Sequence, residues 1–233
     1  PTIALDTNIT ADDIISAAEA GAGSNIAVTG VVGGDAKVGD TVTLTVNGKP
    51  FTGTVAADKT FSILVPGSDL AADGDRTVEA SITTTDAAGN SASATDTEGY
   101  AVNTGLPAVT VNIVDAALNV ADSASVVTFT FTEAPQGFVA SDISATNGTV
   151  TGLAATADPL VFTATFTANA GFEGTGQVSV AAGSYTNAAG NPGSSGSDTV
   201  PIDNKAPVPT IALDTNITAD DIISAAEAGA GSN

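Results

Sequence analysis

The sequence contains no cysteine, no histidine, no tryptophan and no methionine, and only five lysines and arginines among its 233 residues. Each gap removes a class of chemistry. Without Cys there is no disulfide framework and no thiolate nucleophile. Without His the commonest general base and the commonest transition-metal ligand are both missing. Five scattered cations cannot neutralise a row of phosphates, so nucleic acid is not expected as a partner. An anionic membrane surface would repel a chain of formal charge −21 for the same reason. No apolar run is long enough to span a bilayer, so direct membrane insertion is not expected. Glycosidase chemistry needs a sugar platform beside its paired acids, and the only tyrosines are Tyr100 and Tyr185. The chain is therefore expected not to be an enzyme.

What is present is acid and small apolar residues. There are 26 Asp and Glu, with Asp far in excess, and hydrophobic residues make up 42% of the chain. That is enough to build cores despite the charge. Val, Ile, Thr, Gly and Ser form the palette of short strands and tight turns. Most of the Asp residues sit in turns containing Gly or Asn. Such acids keep an exposed protein soluble, and they are also the hard oxygen donors that calcium takes from loops.

The chain opens and closes on the same 25 residues, PTIALDTNITADDIISAAEAGAGSN, at Pro1 and again at Pro209, a period of 208. Identity over such a run is the mark of a tandem array, and the chain reads as a window cut from a longer one. A shorter period lies inside. TDAAGN at Thr85–Asn90 returns as TNAAGN at Thr186–Asn191, and VNTGLP at Val102–Pro107 returns as IDNKAP at Ile202–Pro207. Three units follow: residues 1–104, residues 105–206 as a second subtype, and residues 207–233 as a truncated copy of residues 1–25.

Strand periodicity is clear in each. Val42, Leu44 and Val46 alternate up to Asn47-Gly48, the strongest short hairpin signal, and Phe51 and Val55 follow. Phe61, Ile63 and Val65 alternate, as do Val78, Ala80 and Ile82. The second unit repeats the pattern at Val127, Phe129 and Phe131, at Phe162, Ala164 and Phe166, at Val178 and Val180, and at Val200 and Ile202. About seven short strands per unit predict an all-β chain of tandem immunoglobulin-like antiparallel sandwiches. One or two helical turns are expected within Ala11–Ala20.

Residues 27–104, and VTFTFTEAPQGFVASDISATNGTVTGL at Val127–Leu153, resemble two subtypes of the bacterial immunoglobulin-like repeats of giant RTX-type adhesins. The resemblance implies an extracellular, surface-attached extender exported by type I secretion. It would hold a distal binding module away from the cell, with neighbouring repeats of the same chain as partners, a monomer rather than a homo-oligomer, and calcium at or near the domain junctions. Family linkers often read Asp-Thr-Thr-Ala-Pro. Asp203 keeps that acid, whereas the first junction has Asn103, whose neutral carbonyl is a weaker ligand.

In such a sandwich the loops after the first and the fifth strand lie at the end where the next domain attaches. In the first unit these carry Asp12, Asp13 and Glu19, and Asp69, Asp73 and Asp75. The calcium candidates are Asp13, Glu19, Asp73 and Asp75 with Asn103 nearby, and Asp221 and Glu227 as their copies in the tail. The second unit offers a sparser set of Asp115, Asp122 and Asp203, with Glu173 in the second loop. Asp86 reads first as a turn residue that accepts backbone N–H bonds, and second as a junction ligand. Asp96 and Glu98 are expected to face solvent. Two other functions fit the composition: a self-assembling fibre or surface-layer subunit that uses strand addition at Pro209–Asp214, and a carbohydrate- or protein-binding module.

Overall fold

The computed structural model describes residues 1–213, 222–223 and 225–229. The first half contains β1 (Thr2–Leu5), β2 (Ile14–Ser16), β3 (Asn25–Gly33), β4 (Thr41–Val46), β5 (Lys49–Thr54), β6 (Thr60–Pro66), the short helix α1 (Gly67–Ala72), β7 (Thr77–Thr85), β8 (Ser91–Gly99) and β9 (Ala101–Asn103). One sheet runs β1-β3-β6 and the facing sheet β5-β4-β7-β8, while β2 and β9 pair in parallel. The second half contains β10 (Val109–Ile113), β11 (Leu118–Asn119), β12 (Ala124–Phe131), β13 (Ile143–Thr146), β14 (Gly148–Ala155), β15 (Val161–Ala168), β16 (Glu173–Val180) and β17 (Gly196–Asp203). Its sheets run β10-β12-β15-β14 and β11-β17-β16-β13.

Both halves are the expected all-β sandwiches, and alternation is what builds them. A strand with apolar residues at every second position has one oily face, and two such faces bury each other. Val42, Leu44, Val46, Phe61, Ile63, Val65, Val78, Ala80 and Ile82 enter the first core. Val127, Phe129, Phe131, Ala164, Phe166, Val178, Val180, Val200 and Ile202 enter the second, and Phe162 packs at its margin. Neither cluster contains a residue of the other half. The Asn47-Gly48 hairpin forms between β4 and β5 with both turn residues at positive φ, 51° and 68°, as its turn type requires.

Four features differ from the sequence reading. The short strands β2, β9 and β11 raise the number per half above seven. Ala11–Ala20 is not helical: Ile14–Ser16 pairs with Ala101–Asn103, and only turns follow it. Its β-branched residues have β9 beside them, and the ladder wins over a helix too short to support itself. A helix forms instead at Gly67–Ala72, with Leu70 fully buried. In the tail, Thr210–Leu213 repeats Thr2–Leu5 but is not a strand, and Ile211 and Leu213 are 94% and 85% exposed where Ile3 and Leu5 are 9% and 7% exposed.

Asp96, expected to face solvent, is half-buried and has a structural task. Its carboxylate accepts the Leu5 N–H at 2.7 Å, tying β8 to the edge of β1. Asp198 does the same for Ile113 N–H at 2.8 Å in the second half. Asp96→Ala should leave that N–H without a partner and cost about 1–2 kcal/mol. Amide exchange at Leu5 should accelerate, and unchanged protection there would refute the tie.

Candidate functional site

The two halves meet end to end. Antiparallel pairing of β7 with β8 puts the loop at Asp86–Asn90 at one end of the first sandwich and Tyr100 at the other. The chain leaves from that second end through β9 and the linker 104–107. The linker is received by the Thr186–Asn191 loop at the near end of the second sandwich.

Amides make this joint. Asn187 and Asn191 are each only 1% exposed. Asn191 Nδ2 donates to the Asn103 carbonyl at 2.7 Å, and Asn191 Oδ1 accepts the Ala17 N–H, also at 2.7 Å, from the loop after β2. Asn187 Nδ2 donates to the Gly105 carbonyl at 3.2 Å and to Glu133 Oε2 at 3.1 Å. Asn103 Nδ2 donates to the same Glu133 oxygen at 2.8 Å, and Asn103 Oδ1 accepts the Gly105 N–H at 3.0 Å. Tyr185, buried against Phe131 and Phe138, sets its hydroxyl 3.1 Å from the Ser194 carbonyl and 3.2 Å from the Pro107 carbonyl, and the Ser194 N–H reaches the Pro107 carbonyl at 2.9 Å. Glu133, Asn187 and Asn191 were not among the residues singled out from the sequence. The return of TDAAGN as TNAAGN was the signal that could have found the last two.

The same loop stands free at the far end of the first half. Asp86 N–H bonds the Asn90 carbonyl at 2.9 Å, as Asn187 N–H bonds that of Asn191 at 3.1 Å. Asn90 N–H reaches the Asp86 carboxylate at 2.9 Å, as Asn191 N–H reaches Asn187 Oδ1 at 2.9 Å. Asp86 is therefore a turn residue, and it lines an open groove of ≈ 620 Å³ with Asp35, Lys37 and Asn90. Hydrogen bonds from the Asn90 side chain, then from the Asn90 and Ala88 N–H groups, hold its carboxyl below the ordinary value of 3.8. A carboxyl depressed by folding stabilises the loop above the ordinary value and loses that contribution as pH falls through the depressed one. The Ala88 and Asn90 amide resonances should accordingly titrate below pH 3.8. A midpoint at or above that value would refute the assignment.

The remaining calcium candidates take individual places. The loops after β2 and β6 do converge: a Cβ on Gly67 would stand 1.9 Å from the Glu19 carbonyl oxygen, so glycine permits their contact. Yet each carboxylate is occupied within its own surroundings. Asp13, at φ 62°, accepts the Ile9 N–H at 3.0 Å. Glu19 accepts the Ser16 N–H and hydroxyl at 2.9 and 2.7 Å. Asp75 accepts the Thr77 N–H at 3.1 Å, and Asp69 pairs with Lys49. Asp73, only 8% exposed, lies 3.3 Å from the Tyr100 hydroxyl, which donates to the Leu70 carbonyl at 2.8 Å. Burial first, and the Asp73 charge second, push the Tyr100 hydroxyl far above its ordinary ionisation range. Asp115 and Asp122 flank β11, and Asp203 closes β17 opposite Glu173. Among the described residues no group of three or more acids is gathered closely enough to hold a metal ion. Asp221 and the side chain of Glu227 lie outside the described residues.

The bacterial immunoglobulin-like domain profile matches residues 103–204. A bacterial immunoglobulin-like domain from the M. primoryensis ice-binding adhesin is 44% identical to this chain over 44% of it and 96% of its own length, with a TM-score of 0.40. The chain belongs to the bacterial immunoglobulin-like domains. Two longer structures extend the likeness across both halves. One, from a Ca2+-stabilised adhesin described as helping an Antarctic bacterium reach out and bind ice, is 32% identical, with 97% of this chain and 54% of that one covered and a TM-score of 0.63. The other, from work on host cell surface retention of a 1.5-MDa bacterial ice-binding adhesin, is 33% identical, with 87% and 64% covered and a TM-score of 0.58. This bacterial immunoglobulin-like chain thus spans less than two thirds of either longer structure. Comparison with curated protein sequences returns no match. Among the described residues no helix is long and apolar enough to cross a membrane.

Proposed function

We infer that these immunoglobulin-like domains are an extender segment of a large extracellular bacterial adhesin, a non-catalytic spacer that holds a distal binding module away from the cell surface. The end-to-end joint carries the reading. The chain leaves one sandwich at its far end and enters the next at its near end, and buried hydrogen bonds on both sides of a short Pro-containing linker limit bending. A relative described as helping a bacterium reach out and bind ice supports the reading.

Calcium stiffening belongs to this reading at the ends that carry carboxylates, the Asp86 loop and Asp203. An ion there would neutralise acids that otherwise repel the acidic end of a neighbouring repeat. One relative is described as Ca2+-stabilised. Export by type I secretion would suit a chain with no cysteine that folds where calcium is abundant.

Small-angle X-ray scattering with light scattering on the same samples tests the stalk. Nine-residue strands rise about 3.3 Å per residue, so two sandwiches in series with their loops should reach roughly 80 Å. A monomer of that length is the expected result. A folded-back particle of about half that length overturns the stalk, and polymers in solution favour the fibre.

A further inference from the structure

We propose that the joint between the halves is closed by its own amides and takes no cation, and that the choice of amide or carboxylate at positions 103 and 187 decides this. The inference goes beyond the stalk reading and holds whether or not calcium binds elsewhere on the chain.

Glu133 is the one carboxylate in the network. Its Oε2 already receives two N–H groups, from Asn103 at 2.8 Å and Asn187 at 3.1 Å. Those N–H groups point their positive ends at the oxygen that a cation would need. The amide oxygens are engaged as well: that of Asn103 by Gly105 N–H, that of Asn187 by Asn191 N–H, and that of Asn191 by Ala17 N–H. Among the described residues no buried side-chain nitrogen or oxygen is without a partner. Calcium takes six to eight oxygens, and using Glu133 Oε2 or these amide oxygens would compete with the hydrogen bonds that close the joint.

The internal repeat shows what the alternative would be. Asp86 stands in the first half where Asn187 stands in the second, within a loop of the same hydrogen bonding. Asp203 stands at the end of the second half where Asn103 ends the first. An amide both donates and accepts, so two amides and one carboxylate satisfy one another. A carboxylate at neutral pH only accepts. With Asp at both positions the joint would hold three negative groups within hydrogen-bonding reach and no N–H between them, an arrangement that repels unless a cation is shared.

Pulsed electron paramagnetic resonance on the whole chain tests this. Thr52→Cys and Thr151→Cys place one label on an exposed strand position of each half, and the sequence has no other cysteine. The distance distribution should be the same in millimolar calcium and in excess chelator. Asn103→Asp and Asn187→Asp should each broaden it about twofold in chelator, since unrestrained neighbouring domains move by default, and calcium should narrow it again. Melting curves on each variant confirm that the second half is folded; Asn103, half-buried at the end of β9, serves if the buried Asn187 variant is not. Broadening of the parent chain in chelator overturns the proposal. So does an Asp variant that keeps the parent distribution in chelator, or one that calcium does not narrow. A melt indifferent to calcium would overturn only the calcium reading of the stalk.

Discussion

Calcium at about 10 mM should raise the melting temperature of this chain by roughly 10–20 °C over the same sample in excess chelator. Extracellular calcium modules bind with dissociation constants of about 10⁻⁴ M. At a hundredfold excess over that constant, an ion that binds only the folded state stabilises it by about 2.7 kcal/mol. For a domain of ~100 residues each kcal/mol moves the midpoint by ~4–8 °C. Asp86→Asn and Asp203→Asn should reduce the shift, because each replaces a carboxylate by the amide that the internal joint already carries at the matching position. Asp13→Asn and Glu19→Gln should reduce it little, because both flank the β2 segment, which the amide joint already closes through Ala17 N–H. A chain whose midpoint ignores calcium would demote its acids to solubilising turn residues and leave a plain spacer.

Phe131→Ala should split thermal unfolding into two transitions. Phe131 is 2% exposed and lies at the centre of an aromatic group, with ring centroids 4.9 Å from Phe138, 4.9 Å from Tyr185 and 5.8 Å from Phe162. Removing a buried ring costs about 3–5 kcal/mol, the lost transfer energy together with the cavity left behind. That lowers the midpoint of the second half by roughly 12–40 °C. The first half shares no core residue with it and should melt near its original temperature. A single transition displaced as a whole would show that the halves unfold as one unit, and that the joint is far stronger than a short linker with a few hydrogen bonds.

The sandwiches were legible in the sequence because alternation is local. Val42, Leu44 and Val46 declare a face within five residues, and Asn47-Gly48 declares a turn whatever the rest of the chain does. The joint was less legible. Its linker was visible from Pro107 and from the period, but Glu133 joins Asn103 and Asn187 from 30 and 54 positions away. No spacing rule links such residues. Asp96 looked like any strand acid until β1 was seen to lie beside it.

The chain also contains its own control. The same 25 residues occur twice. In the first copy Thr2–Leu5 is a strand against β3, and Ala17–Gly21 is a series of turns. In the second copy Thr210–Leu213 is not a strand and Ala225–Gly229 is helical. Sequence by itself determined what each short segment could become: which residues alternate, where the chain can turn, which positions are amides and which are acids. Tertiary structure decided which possibility was realised. A strand needs a second strand to take its N–H and carbonyl groups, and a helix of one or two turns has too little support of its own to resist the packing around it.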